Sequence, residues 1–503
     1  MVTVLITLLI TLYLVFRSTT VQTLLVRVAA DYFSKTLNSE IRVKGFDLSL
    51  RHGLVVESIS VLDHRHDTLF RAAELGVKPG TYSFSTQKIN IRKVLIKDAL
   101  FQLMTHEGDS ALNLQYILDH FASADTAPAD TTPSKPLALT LTAVILDNVR
   151  FRMQDHNIPV EPVGMDYNHL DISQIKLELN NVSFDEYSIH AVIRSLSARE
   201  RCGINLQNLS GSFQVGSRFI KAKKMHLKTN RSDLSLDLDF LYEDWNAYKD
   251  FLNDVTIKSK IDSSSLDIQD IGYFAPDMLS MKNQVYLKGN IRGTISNFKA
   301  RDLWFRFGNQ TSFKGDINML GLPDISETFI DLNIKKLITH ADDIGKVFLP
   351  GDAVIPELPG IVSDAGVLSL KGKFTGFFND FVANATLQTA LGKISTDLAL
   401  FRQPGDPLLH YKGRLNAKAL HLGKISGDES LLGSAFFSAD LNGKGLNAED
   451  ADLKINLQID SLGFNRYNYS GINVSGTLID KEFTGNLEIR SEEHTSELQS
   501  PNT

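Results

Sequence analysis

The densest group of side chains able to do chemistry is Asp63, His64, His66 and Asp67, gathered within one short polar stretch. Two carboxylates and two imidazoles in a turn are potential ligands for a divalent cation. No further His or Cys stands at a zinc-site spacing, and a solvated hairpin turn accounts for the same residues, so no metal is assigned. The glycine-rich run Gly423–Ser430 (GKISGDES) lacks the GxxxxGK[ST] order in which backbone N–H groups cradle phosphate. Neither GxSxG nor HExxH occurs. Ser, His and Asp are plentiful, but nothing in the sequence brings them together as a triad. Cys202 follows Arg199, Glu200 and Arg201, a neighbourhood that could activate a thiol, although an idle loop cysteine reads the same way. As the single cysteine it excludes an internal disulfide and a Cys-rich metal framework. No catalytic residue and no cofactor are expected, and the chain does not read as an enzyme.

Chemistry would need elements to hold it, and the elements are legible. The 503 residues are 43% hydrophobic and 22% charged, the balance of a folded chain rather than a disordered one. The formal charge of −7 and the absence of Lys/Arg runs interleaved with aromatics argue against nucleic acid as a partner. In Asp233–Phe240 (DLSLDLDF), Leu234, Leu236, Leu238 and Phe240 alternate with Ser235, Asp237 and Asp239. A strand points successive side chains to opposite faces, so this segment has one apolar and one acidic face. Leu453, Ile455, Leu457 and Ile459 repeat the pattern, as do Ile175, Leu177 and Leu179, and Leu303, Phe305 and Phe307. Such faces close on one another as a sandwich or barrel core, or line an open trough; both bury alternate residues, so periodicity leaves the two open.

Along the chain, Val2–Phe16 carries no charge and reads as an uncleaved membrane anchor, with Val4, Leu8, Leu12 and Phe16 as anchor residues. As a helix it would be ~22 Å long, short of a ~30 Å hydrocarbon core. Nothing basic precedes it, whereas Arg17 and Arg27 follow, so charge bias leaves the orientation undecided or reversed. Val21–Leu37 reads as an amphipathic helix, with Val21, Leu24, Leu25, Val28 and Tyr32 at helical spacing after Thr20. Strands are predicted over Ile41–Leu50, Leu54–Leu62, Leu69–Val77, Ile89–Ile96 and Ala99–Met104, then a short helix over Ser110–Phe121. Ala122–Pro136 holds three prolines and no large apolar residue, and is expected to be a disordered linker. From Leu137 strands follow closely, interrupted by helical turns at Gly272–Leu279 and Asp342–Leu349. LKGNIRGTI (Leu287–Ile295), LKGKFTGFF (Leu370–Phe378) and LNGKGLNA (Leu441–Ala448) form a weak repeat, with Asn297-Phe298 and Asp380-Phe381 after the first two copies. Arg490–Ser500 (RSEEHTSELQS) resembles the translation of a sequencing-adapter oligonucleotide, so 490–503 is expected to be foreign to the chain.

Val21–Val77, Asp98–Phe121 (DALFQLMTHEGDSALNLQYILDHF), Leu303–Leu337 and Leu368–Leu398 resemble the TamB branch of the AsmA-like envelope proteins, in the version found in Bacteroidetes-like bacteria. The D-x-x-x-D-T-L turn at Asp63–Leu69 is part of that resemblance. The resemblance implies a single-pass inner-membrane anchor at 1–17 and an N-terminal cap at 18–121. Beyond the linker at 122–136 it implies an all-β periplasmic body at 137–489, an elongated repetitive antiparallel sheet curled into a hydrophobic groove. It implies carriage of phospholipid between inner and outer membranes, the sets Ile175/Leu177/Leu179, Leu234/Leu236/Leu238/Phe240, Leu303/Phe305/Phe307 and Leu453/Ile455/Leu457/Ile459 lining the groove against acyl chains. The alternative it carries is a scaffold for assembly or secretion of outer-membrane proteins with a barrel partner. This chain departs from the family in lacking basic residues before the anchor and the C-terminal domain that would meet that partner.

Overall fold

The computed structural model describes residues 19–49, 53–83, 88–124, 138–185, 187–344, 364–445, 450–479 and 481–489. These fall into two compact units, one within Met1–Lys249 and Ile257–Gln284, the other within Asp250–Thr256, Val285–Phe348 and Ala353–Thr503. The anchor residues Val4, Leu8, Leu12 and Phe16, most of the 122–136 stretch and all of 490–503 lie outside the described residues. Among the described residues no helix is long and apolar enough to cross a membrane.

The first unit opens with α1 (Thr19–Thr36) and continues through β1 (Glu40–Ser49), β2 (Gly53–Leu62), β3 (Thr68–Ser83) and β4 (Lys88–Thr105). After α2 (Gln115–Ala124) come β5 (Ala138–Asp155), β6 (Asp171–Phe184), β7 (Ser188–Glu200), β8 (Asn205–Gly216), β9 (Phe219–Thr229), β10 (Asp233–Leu241) and β11 (Thr256–Asp267). Each of β1 to β9 pairs with the next. Every pairing is antiparallel except β4 with β5, which run parallel on either side of the proline-rich stretch. A parallel step needs a crossover of a dozen or more residues, and α2 with the proline-rich stretch supplies that length. The two predicted strands Ile89–Ile96 and Ala99–Met104 are one strand, β4, carrying a left-handed residue at Asp98 (φ 47°).

The second unit is a run of hairpins: β12 (Gln284–Gly293), β13 (Asn297–Phe307), β14 (Thr311–Leu320), β15 (Phe329–His340), β16 (Val367–Phe377) and β17 (Asp380–Thr389). It continues through β18 (Gly392–Arg402), β19 (Leu409–His421), β20 (Leu432–Lys444), β21 (Asp452–Phe464), β22 (Tyr467–Ile479) and β23 (Glu482–Ile489). Each strand from β13 to β23 is antiparallel to its predecessor. The first two repeat copies are equivalent hairpins. Gly293 (φ 126°) faces Phe298 and Gly376 (φ 138°) faces Phe381, each at a hairpin end where a Cβ would lie 2.1 or 2.2 Å from a cross-strand carbonyl.

Bulges keep the faces consistent. In β13, Ala300 and Leu303 are three apart yet face Ile317 and Gly315, two apart on β14. Asp302 absorbs the extra residue at φ 48°, and its N–H donates to Asp316 Oδ1 at 2.9 Å. A strict period-two strand would have turned Leu303, Phe305 and Phe307 to the polar face; one extra residue restores them.

The helix docks in a way the sequence pattern did not anticipate. Leu24, Val28 and Tyr32 are 62%, 60% and 65% exposed, while Gln22 is buried. The polar face meets β1: Thr23 exchanges hydrogen bonds with the backbone of Phe46, Arg27 donates to Lys44 O, and Ser34 accepts from Ile41 N–H. An edge strand presents unpaired N–H and C=O groups, and α1 satisfies them with side chains where a further strand would use backbone.

Candidate functional site

Cross-strand register lays the inward residues in rows perpendicular to the strands. In the first unit one row begins at Phe46 and steps through Val56, Leu75, Ile96 and Leu146. It runs on through Leu177, Leu196, Leu209, Leu227 and Leu234, so all ten strands from β1 to β10 contribute a large apolar residue. In the second unit a row begins at Leu287 and steps through Phe305, Phe313, Leu337, Leu370 and Leu387. It continues through Ile394, Ala417, Phe437, Ile459, Ile472 and Ile489, with no polar residue from β12 to β23.

These rows take in residues singled out by sequence. Leu177 and Leu234 stand in the first row, and Ile175 and Leu179 lie beside Leu177 on the same face, opposite Val149 and Val144. Leu236, Leu238 and Phe240 face Met225, Ala222 and Ile220. Phe305 and Ile459 stand in the second row; Leu303, Phe307, Leu453, Ile455 and Leu457 flank them. Sequence reasoning passed over Leu196, Leu209, Leu370 and Leu387, although each sits in an alternating segment that the same rule would have found.

Burial along the rows is partial. All fourteen singled-out residues are half-buried, and in the second row only Phe313, Ala417 and Ile472 are fully buried. A strand at the centre of a closed sandwich buries its inward residues almost completely, because a second layer covers them. Where buried side chains do cluster, at Ala72, Ala99 and Val149 with Ile59, Phe70, Ile96, Leu146 and Ile175, every member comes from adjacent strands β2–β6 of one layer.

The opposite face is polar. Asn384, Asp397, Arg414, Asp440 and Asn456 face one another across five strands. Arg414 forks onto Asp440 through Nε at 2.8 Å and a terminal nitrogen at 3.1 Å, and this guanidinium holds the Asp440 carboxyl below its usual range. A cavity of about 670 Å³ lies on this polar side, lined by Asp397, Arg414, Asn442 and Lys454 among others, so it is no place for an aliphatic chain. On β10 the acidic face is drier than its pattern implies: Asp239 pairs with Lys223 at 2.9 Å, and Asp237 accepts from Lys224 N–H at 2.8 Å.

The reactive groups singled out by sequence do not assemble into one site with each other. His64 stacks edge-on against Tyr116 and His66 turns to Glu40, 3.5 Å away, so Asp63, His64, His66 and Asp67 do not converge. Gly423–Ser430 forms the helix Leu422–Ser426 capped by left-handed Gly427, a C-terminal cap rather than a phosphate cradle. Burial, and after it the Glu200 carboxylate, pushes the Cys202 thiol up to about 11, the opposite of activation. Comparison with protein-family models, with curated proteins and with solved structures finds no match for this chain.

Proposed function

We propose that the chain is a non-enzymatic, membrane-tethered envelope protein of the TamB/AsmA-like kind, whose apolar sheet faces form a hydrophobic groove conveying phospholipid acyl chains between inner and outer membranes. The observation that carries this reading is the pair of apolar rows, uninterrupted from strand to strand and for the most part only half-buried. Each methylene shielded from water is worth ~0.8 kcal/mol, so an acyl chain gains roughly 12 kcal/mol for about fifteen of them. No polar residue interrupts the rows to fix a headgroup, so a lipid lying along them has near-equal energy at successive strands and slides rather than docks. The apolar stripe of α1, turned away from the sheet, follows directly on the uncharged Val2–Phe16, an arrangement suited to a bilayer surface beside the first strand. The body stands in the periplasm in this reading, and the anchor in the inner membrane.

Site-specific photocrosslinking in envelope-bearing cells tests it. A crosslinker at Leu177, Leu387 or Ile455 should give phospholipid adducts, and one at Asn384 or Asn456, on the polar face, should give none. Adducts to outer-membrane barrel precursors, without lipid, would favour the assembly-scaffold alternative. Adducts only within the chain itself would mean a closed stalk.

A further inference from the structure

We propose that Asp63, Asp67 and His106 form a divalent-cation site that ties the β2–β3 turn to the end of β4. The Asp63 side chain is wholly buried. Its Oδ1 accepts from Arg65 N–H and Asp67 N–H, both at 2.9 Å, and its Oδ2 accepts from Asn113 Nδ2 at 3.1 Å. All three donors are neutral, and among the described residues no Lys or Arg pairs with Asp63. A carboxylate sealed from water needs a counter-charge as well as hydrogen bonds.

His106 supplies the second observation. Its side chain is 14% exposed, and Nε2 stands 3.7 Å from both Asp63 Oδ2 and Asp67 Oδ2. That separation is too long for a hydrogen bond, and Nε2 is shut off from solvent with no hydrogen-bond partner among the described residues. The three ligand atoms lie within 4.8 Å of one another. With two sides of 3.7 Å and a third no longer than 4.8 Å, the equidistant point lies within about 2.4 Å of each atom, against ~2.0–2.2 Å for zinc bonds to His nitrogen and carboxylate oxygen. One imidazole with two carboxylates suits Zn²⁺ or Mn²⁺ better than the all-oxygen preference of Ca²⁺ or Mg²⁺. Asn113, which orients Asp63, itself accepts from Met104 N–H at 2.9 Å and donates its own N–H to Met104 O at 2.7 Å, so the carboxylate is braced from the strand that precedes His106.

The test is metal uptake by the chelator-stripped full chain in detergent, titrated with ZnCl₂ and separately with MnCl₂ by calorimetry and by thermal unfolding. One ion per chain should bind and raise Tm. Asp67→Asn, at a half-exposed turn position, and His106→Gln should each weaken binding at least tenfold, whereas His66→Gln on the same turn should leave it unchanged. If His106→Gln does not fold, Asp67→Asn decides alone. The proposal fails if neither metal binds at about 100 µM free ion, a concentration at which even a modest site would raise Tm. Binding that is unaltered in Asp67→Asn also overturns it, since the ion would then sit elsewhere.

Discussion

Gln22 and Leu48 exchange hydrogen bonds as a strand pair would: Leu48 N–H donates to Gln22 Oε1 at 2.8 Å and Gln22 Nε2 donates to Leu48 O at 3.2 Å. A side-chain amide carries the same donor and acceptor as a peptide, so a helix stands in for the second strand neighbour that β1 lacks among the described residues. Gln22→Leu keeps the bulk and removes both bonds. It should cost ~1–3 kcal/mol in urea unfolding, the penalty of backbone groups left unsatisfied. It should also speed amide exchange at Leu48 and, by baring the edge, promote self-association in sedimentation. Unchanged exchange at Leu48 would mean the helix does not cap the sheet.

Asp343 closes the turn before β14. Its carboxylate accepts from Gln310 N–H at 2.7 Å, Thr311 N–H at 2.8 Å and Asn309 N–H at 3.1 Å, with the Thr311 hydroxyl at 3.0 Å. Burial opposes ionisation here, but these donors outweigh it and hold the carboxyl below the ordinary value of 3.8. Between the folded and unfolded values the unfolded chain binds more protons, so stability rises with pH. The contribution is complete above about pH 4 and is lost as pH falls through the folded value. Asp343→Asn should flatten the acid limb of the stability curve and deprotect the Gln310 and Thr311 amides. An acid limb identical to wild type would remove Asp343 from the account.

The repeat glycines make a graded prediction. At Gly293 and Gly376 a Cβ would lie 2.1 and 2.2 Å from the carbonyls of Asn297 and Asp380, on left-handed backbone. At Gly405 (φ 85°) a Cβ meets nothing within 4 Å. Alanine at Gly405 should therefore cost about 1 kcal/mol, from backbone preference alone. Alanine at Gly293 or Gly376 should cost roughly 2–4 kcal/mol, since the hairpin must also open. Equal Tm losses at all three positions would contradict the close approach.

Cys202, with its thiol raised to about 11, should resist alkylation. At pH 7.5 its thiolate is roughly two orders of magnitude scarcer than that of an ordinary cysteine at ~8.5, and iodoacetamide should react correspondingly slower with the native than with the urea-unfolded chain. The native rate should keep rising beyond pH 10. A native rate equal to the unfolded one would show the thiol to be exposed and ordinary.

Sequence alone determined the kind of secondary structure and which side of a strand is apolar, because alternation is local and a strand spells it out residue by residue. Leu453 to Ile459 reads as a strand with its faces divided as in β21, and the paired LKG copies read as a repeat, which proves to be a pair of equivalent hairpins. Tertiary structure decided what depends on partners remote in the chain. The bulge at Asp302 puts Ala300 and Leu303 on one face, against the period that a sequence reader would extend. β4 and β5 run parallel across the proline-rich stretch, a pairing to which no single segment testifies. The apolar stripe on α1 is real but faces outward, since the unpaired edge of β1 wants hydrogen bonds and only the polar side of the helix can give them. Asp63 and Asp67 meet His106 rather than their neighbours His64 and His66. Adjacent residues on a tight turn diverge, while a register spanning three strands brings distant ones together.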